Sequence, residues 1–103
     1  MLEWTPEELE HVLEKGETVF LKLWKPGCGS CTLSKPAVKR VEEAFADRLT
    51  FGQIDTEAYP EILEIAETEV LPVFFIFKNK KLAGRLIGFK GQAKLQEFVE
   101  TLA

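Results

Sequence analysis

The side chains that build metal centres and disulfide scaffolds are scarce in this sequence: two cysteines and one histidine among 103 residues. A secreted domain stapled by several disulfides is excluded, because two sulfurs form at most one bridge. A structural zinc site needs four ligands and the cysteines supply two, so only a dimer would complete one from these sulfurs. The single histidine, His11, falls in the first helical segment far from both cysteines, and a surface or packing role is expected of it. Basic charge is also in short supply, with 13 Lys and Arg against 17 Asp and Glu and a net charge of -4. No basic face is left on which a nucleic-acid backbone could settle. Long hydrophobic runs are missing too, and nothing approaches the roughly 20 apolar residues that a membrane span requires. The start, Met1 to Glu8, is acidic and lacks the basic and apolar parts of a signal peptide, so a cytoplasmic location is expected. No repeat, linker or low-complexity stretch interrupts the chain, and a single domain over residues 1–103 is expected.

The residues that are present alternate between helical and extended patterns. Thr5-Pro6-Glu7-Glu8 combines a capping hydroxyl, a first-turn proline and a glutamate three residues after the cap, which starts a helix. Leu9, Val12 and Leu13 give that helix one apolar face, ending near Gly16. Thr18 to Trp24 is apolar at nearly every position, the pattern of a central strand covered on both sides, with Lys22 as its one misfit. After a turn at Pro26-Gly27 comes Cys28-Gly29-Ser30-Cys31. Leu33, Val38, Val41, Ala44 and Phe45 then recur at helical spacings up to about Asp47, with Pro36 inside as a kink. Leu49 to Asp55 reads as a strand and Pro60 to Ala66 as a short helix. Val73 to Phe77 and Leu82 to Ile87, flanking Lys78-Asn79-Lys80-Lys81, read as an antiparallel hairpin. Leu95, Phe98, Val99 and Leu102 mark a closing amphipathic helix. The predicted fold class is α/β: a central mixed sheet, parallel strands plus a C-terminal antiparallel hairpin, with helices on both faces.

A Cys-x-x-Cys pair that opens a helix after a strand points to redox chemistry. The helix N-terminus stabilises a thiolate, the thiolate is the attacking species, and two intervening residues let the second sulfur reach the first. On the pair alone, two structural cysteines or half of a metal site stand as the alternatives to that redox reading.

The segment Trp24-Lys25-Pro26-Gly27-Cys28-Gly29-Ser30-Cys31 resembles the active-site segment of the thioredoxin family, with Pro36 at the position of that family's helix-kinking proline. Downstream, Leu71-Pro72 resembles the family's cis-proline loop, Phe77-Lys78-Asn79 its hairpin turn, and Gly88 the glycine after its last strand. The resemblance covers nearly the whole chain and implies a thioredoxin fold and a protein-disulfide oxidoreductase, with Cys28 and Cys31 as a redox-active disulfide. It implies that Cys28 attacks a partner disulfide and that Cys31 resolves the mixed disulfide. Gly27, Leu71, Pro72 and Gly88 would contact the substrate, Leu71 through its backbone. Trp24, Gly29, Ser30, Pro36 and Lys22 would modulate the site. The partners implied are disulfide-containing proteins and a thioredoxin reductase or other thiol donor, met by a monomer without cofactor or metal.

The chain departs from the family pattern at four places. Gly27 stands where a tryptophan is usual and Ser30 where a proline is usual, which loosens the loop and implies a less reducing couple. Lys22 occupies the place of the family's buried acid, and Gln53 that of the lysine that accompanies it. Two placements of Lys22 are open to the sequence reader. Buried, its amine would either lower a thiolate pKa as a cation or take the proton of Cys31 as a neutral base; alternatively its stem packs beside Phe20 and Trp24 while the amine reaches water. The altered pair also leaves room for an alternative function, a redox-sensing or binding module of this fold with weak turnover.

Overall fold

The computed structural model describes residues 1–103. Its elements are β1 (Leu2–Glu3), α1 (Pro6–Glu14), β2 (Val19–Trp24), α2 (Gly29–Phe45), β3 (Thr50–Asp55), a 3-10 turn (Pro60–Ile62) running into α3 (Leu63–Ala66), β4 (Val73–Lys78), β5 (Lys81–Ile87) and α4 (Gln92–Leu102). One five-stranded sheet forms in the order β1-β3-β2-β4-β5. β1, β3 and β2 run parallel, whereas β4 is antiparallel to β2 and β5 to β4.

The central strand β2 divides its side chains between two cores by the two-residue period of a strand. Val19, Leu21 and Leu23 join Trp4, Leu9, Ile54, Ala66, Val73 and Phe75 on the side covered by α1 and α3. Phe20 turns to the other side and joins Val38, Val41, Phe45, Phe51, Phe74, Ile76, Leu95 and Val99 under α2 and α4. There the Phe20 ring lies 5.0 Å from that of Phe51 and 5.7 Å from that of Phe74, tilted pairs worth about 0.5–1.5 kcal/mol each beyond their buried area. No helix is long and apolar enough to cross a membrane.

Local chemistry explains where the elements begin and end. Thr5 and Glu8 form the expected capping box at α1, with each side chain accepting from the other's backbone N–H at 3.1 and 3.0 Å. In the hairpin, Asn79 and Lys80 both have positive φ, the geometry of a two-residue turn whose twist matches the flanking strands. Gly52 in β3 has no side chain because the indole of Trp4 occupies the space where a Cβ would stand.

Three expectations need correction. β1 is two residues long and was not foreseen, since so short a run carries no periodic pattern. The segment Pro60 to Ala66 is a 3-10 turn followed by a single α turn, ended by Glu67 in the left-handed region. In α2 the buried stripe is Cys31, Ser34, Ala37, Val38, Val41 and Phe45. Leu33 is 72% exposed and Ala44 is exposed as well, because both lie off the stripe that the burial of Cys31 fixes.

Candidate functional site

Pairing register brings the predicted site residues together. β2 ends at Trp24, and the chain turns through Lys25-Pro26-Gly27, with Gly27 at φ 78°, into the first turn of α2. Trp24 is held at the strand end by Thr56, whose N–H and hydroxyl both donate to its carbonyl at 2.8 and 3.1 Å. β4 runs antiparallel to β2 with Val73 opposite Leu23, so the residue before β4, Pro72, arrives beside the end of β2. Ile87 of β5 is opposite Val73 in turn, which sets Gly88 next to Pro72. The Gly88 N–H donates to the Pro72 carbonyl at 2.8 Å, and its φ of 80° is one that residues with a side chain rarely adopt. The Leu71-Pro72 peptide bond is cis, as the family resemblance implied.

Cys28 is the N-cap of α2 and forms a disulfide with Cys31, their Cα atoms 5.3 Å apart. The Cys28 sulfur accepts from the Cys31 N–H at 3.2 Å. A helix N-terminus presents such donors and a positive partial charge, which favour a sulfur that becomes a thiolate on reduction. The same sulfur stands 3.9 Å from the Leu71 carbonyl oxygen, a contact and not a hydrogen bond, since a disulfide sulfur carries no proton. Cys28 is half-buried and Cys31 is buried. Gly27, Gly29 and Ser30 are exposed around them. Thr32 closes the first turn with its N–H and hydroxyl on the Cys28 carbonyl at 3.2 and 3.3 Å. Pro36 lies inside α2 as expected and, lacking an N–H, leaves the Thr32 carbonyl without its helical donor.

Of the two placements open for Lys22, the structure shows the buried one. The residue is 1% exposed, and its Nζ donates to the Cys31 carbonyl at 3.1 Å, behind the disulfide. Burial, assisted by the positive charge of Lys35 and opposed by Glu3, lowers its pKa from 10.5 to about 8. Its neighbour across the sheet is Gln53, at the register position Lys22–Gln53.

Three participants were not legible beforehand. Ser34, fully buried, donates its hydroxyl to the same Cys31 carbonyl at 2.7 Å; a serine three residues after the second cysteine was the available signal. Glu3 accepts from the Trp24 indole N–H at 3.3 Å and from the Gln53 side-chain amide, contacts that depend on the unforeseen β1. Thr56 carried no motif. His11 lies on α1, across the sheet from α2, and no group of three or more His, Cys, Asp or Glu side chains is placed to hold a metal.

Comparison with known proteins agrees with this geometry. The chain is 33% identical over 98 residues to thioredoxin Y, chloroplastic, of Oryza sativa subsp. japonica, covering 94% of this chain and 58% of that protein. It is 27% identical over 84 residues to the thioredoxin of Mycobacterium tuberculosis, covering 82% and 72% respectively. The chain spans about half the length of the chloroplastic relatives it matches. Its fold matches the crystal structure of oxidized mitochondrial thioredoxin 3 from Saccharomyces cerevisiae with a TM-score of 0.88 at 20% identity, covering 99% of this chain and 95% of that one. Chloroplastic thioredoxin z matches with a TM-score of 0.82 at 23% identity, covering 99% and 93%. The family model described as Thioredoxin matches residues 1–101, and the chain therefore belongs to the thioredoxin family.

Proposed function

We propose that this protein is a thiol-disulfide oxidoreductase that exchanges its Cys28/Cys31 dithiol with disulfides in protein partners. The observation that carries the reading is the asymmetry of the pair. Cys28 is half-buried at the mouth of α2 beside the cis-proline loop, and Cys31 is buried directly behind it. A partner sulfur can reach only the first, and the second can reach only the mixed disulfide that results. Cys28 is the attacking thiolate and Cys31 the resolving one. Leu71, with its carbonyl oxygen beside the Cys28 sulfur, presents backbone to an extended substrate segment, and Gly27, Pro72 and Gly88 border the same approach. Trp24, Gly29, Ser30 and Pro36 shape the loop and the first turns of α2 around the sulfurs.

Electrons would come from a thioredoxin reductase or another thiol donor, to a monomer in a reducing compartment. The sequence reading expects the cytoplasm, and the relatives named chloroplastic widen the choice to other reducing compartments. Separation of cell fractions followed by blotting decides the location.

The exchange itself is tested by the reduction of insulin with dithiothreitol as electron source. The wild-type protein is expected to accelerate it, Cys28→Ser to abolish the acceleration, and Cys31→Ser, reduced and freed of dithiothreitol before insulin is added, to accumulate a covalent mixed disulfide. Acceleration no greater than dithiothreitol alone would favour the sensing or binding module instead.

A further inference from the structure

The second cysteine has a basic neighbour that the exchange reaction as described does not use. Lys22 is buried at the middle of β2, between Gln53 on β3 and Phe74 on β4, neither of which carries charge. Its amine has no carboxylate within ion-pair distance, since the two ion pairs of the molecule join the Met1 amino group to Glu42 and Arg85 to Glu67. The charged groups that face it are Lys35, Lys39 and Glu42 from α2, the Met1 amino group, and Glu3 from β1. Of these, the Glu3 carboxylate is already engaged by Trp24 and Gln53. What the amine does contact is the Cys31 carbonyl oxygen, 3.1 Å away and four covalent bonds from that residue's sulfur. It also lines, with Lys35, Lys39 and Gln53, a cleft of about 280 Å³, room for several water molecules.

An unpaired buried ammonium is costly, and the cost falls when the amine is neutral or when a negative charge forms beside it. Cys31 is the neighbouring group whose sulfur changes from neutral disulfide to acidic thiol on reduction. We infer that Lys22 is the proton acceptor for Cys31, taking the Sγ proton when the second cysteine resolves a mixed disulfide and releasing it to water through the cleft.

The Cys28 thiolate has already displaced one partner sulfur as a thiolate. The Cys31 S–H then gives its proton, through one water, to the neutral Nζ, and its electron pair attacks the Cys28 sulfur. The bond from Cys28 to the partner breaks, the second partner sulfur leaves as a thiolate, and the Cys28–Cys31 disulfide forms. Two electrons have passed to the partner, and the proton on Nζ leaves to solvent or to the departing thiolate. In the disulfide form its pKa is lowered to about 8, well below that of an ordinary lysine, so the amine can be neutral near physiological pH and still be reprotonated. By reciprocity, a thiol that gives up its proton more easily beside Lys22 makes Lys22 hold its own proton more tightly in the reduced protein.

The inference rests on the exchange reaction proposed above and is tested by two measurements that separate the two. NMR titration of the Lys22 Cε resonance, assigned by its loss in Lys22→Met, is followed in the disulfide and the reduced protein. The midpoint, about 8 in the disulfide protein, is expected to rise on reduction, and an identical midpoint in both states would overturn the assignment. Stopped-flow reaction of the reduced protein with stoichiometric 5,5'-dithiobis(2-nitrobenzoate) releases one thionitrobenzoate on Cys28 attack and a second on Cys31 attack. At pH 8 the second phase is expected to slow about tenfold in both Lys22→Met and Lys22→Arg, at the low end for a positioned base, while the first is unchanged. Arginine keeps the charge but cannot give up its proton in this range, so wild-type rates in Lys22→Arg would refute a base. Failure of the first phase in the wild type would refute the exchange reaction, and the NMR comparison would still decide whether the Lys22 proton follows the redox state.

Discussion

Replacing Lys22 by methionine should make the folded protein more stable at neutral pH and less stable, relative to the wild type, as the solution becomes alkaline. Lys22 holds its proton less tightly in the folded chain, with a pKa of about 8, than at the ordinary value of 10.5 that it regains on unfolding. Below pH 8 both states are protonated and the full cost of the buried charge is present. Between pH 8 and 10.5 the unfolded chain binds more protons than the folded one, so wild-type stability rises with pH across that window. A difference of 2.5 between the two values corresponds to at most ~3.5 kcal/mol, at about 1.4 kcal/mol for each. Methionine has a stem of similar length and no charge, so it avoids that cost but loses the hydrogen bond from Nζ to the Cys31 carbonyl, worth about 1–2 kcal/mol. That carbonyl keeps the Ser34 hydroxyl. Lys22→Met is therefore expected to exceed the wild type by about 1–2 kcal/mol at pH 7 and to fall below it near pH 10.5. Urea unfolding of both proteins at a series of pH values, with the disulfide intact so that no thiol titrates, measures the difference. Tyr59 and the remaining lysines are common to both chains and cancel. A stability difference that stays constant from pH 7 to 10.5 would refute the buried-charge reasoning.

Gly52→Ala should lower stability by about 1–3 kcal/mol, because its new Cβ falls where the buried Trp4 indole packs; thermal unfolding reads the loss, and an unchanged midpoint would contradict the packing. In the reduced protein, alkylation at mildly acidic pH should label Cys28 before Cys31, since the first sulfur is half-buried at the helix mouth with a backbone donor and the second is buried; peptide mapping identifies the order. The couple should be more oxidising than that of thioredoxin, for which about -270 mV is the reference value and not one worked out from this chain. Ser30 and Gly27 remove the rigid and bulky residues of the loop while the helix mouth still favours the thiolate, and equilibration with glutathione buffers measures the result.

The order of the principal helices and strands, and the position of the two cysteines at a helix start, were legible in the chain because they depend on local patterns. The capping box at Thr5 and Glu8, the unbroken apolar run of β2 and the two cysteines at a helix start are each contained in a few consecutive residues. Leu71, Pro72 and Gly88 were named through family resemblance, yet their nearness to Cys28 is a product of register: antiparallel pairing sets Val73 opposite both Leu23 and Ile87, and no local pattern carries that information. Leu33 has the hydrophobicity of a core residue and lies exposed, whereas Ser34 lies buried, because the turn that buries Cys31 fixes which side of α2 meets the sheet. Lys22 shows the division most directly. Its place in an apolar strand marked it as exceptional, but a lysine stem can carry its amine to water or to a buried acceptor with equal ease. It is the packing of α2 on the sheet, which sets the Cys31 carbonyl over the middle of β2 and leaves Glu3 engaged with Trp24 and Gln53, that keeps the amine inside.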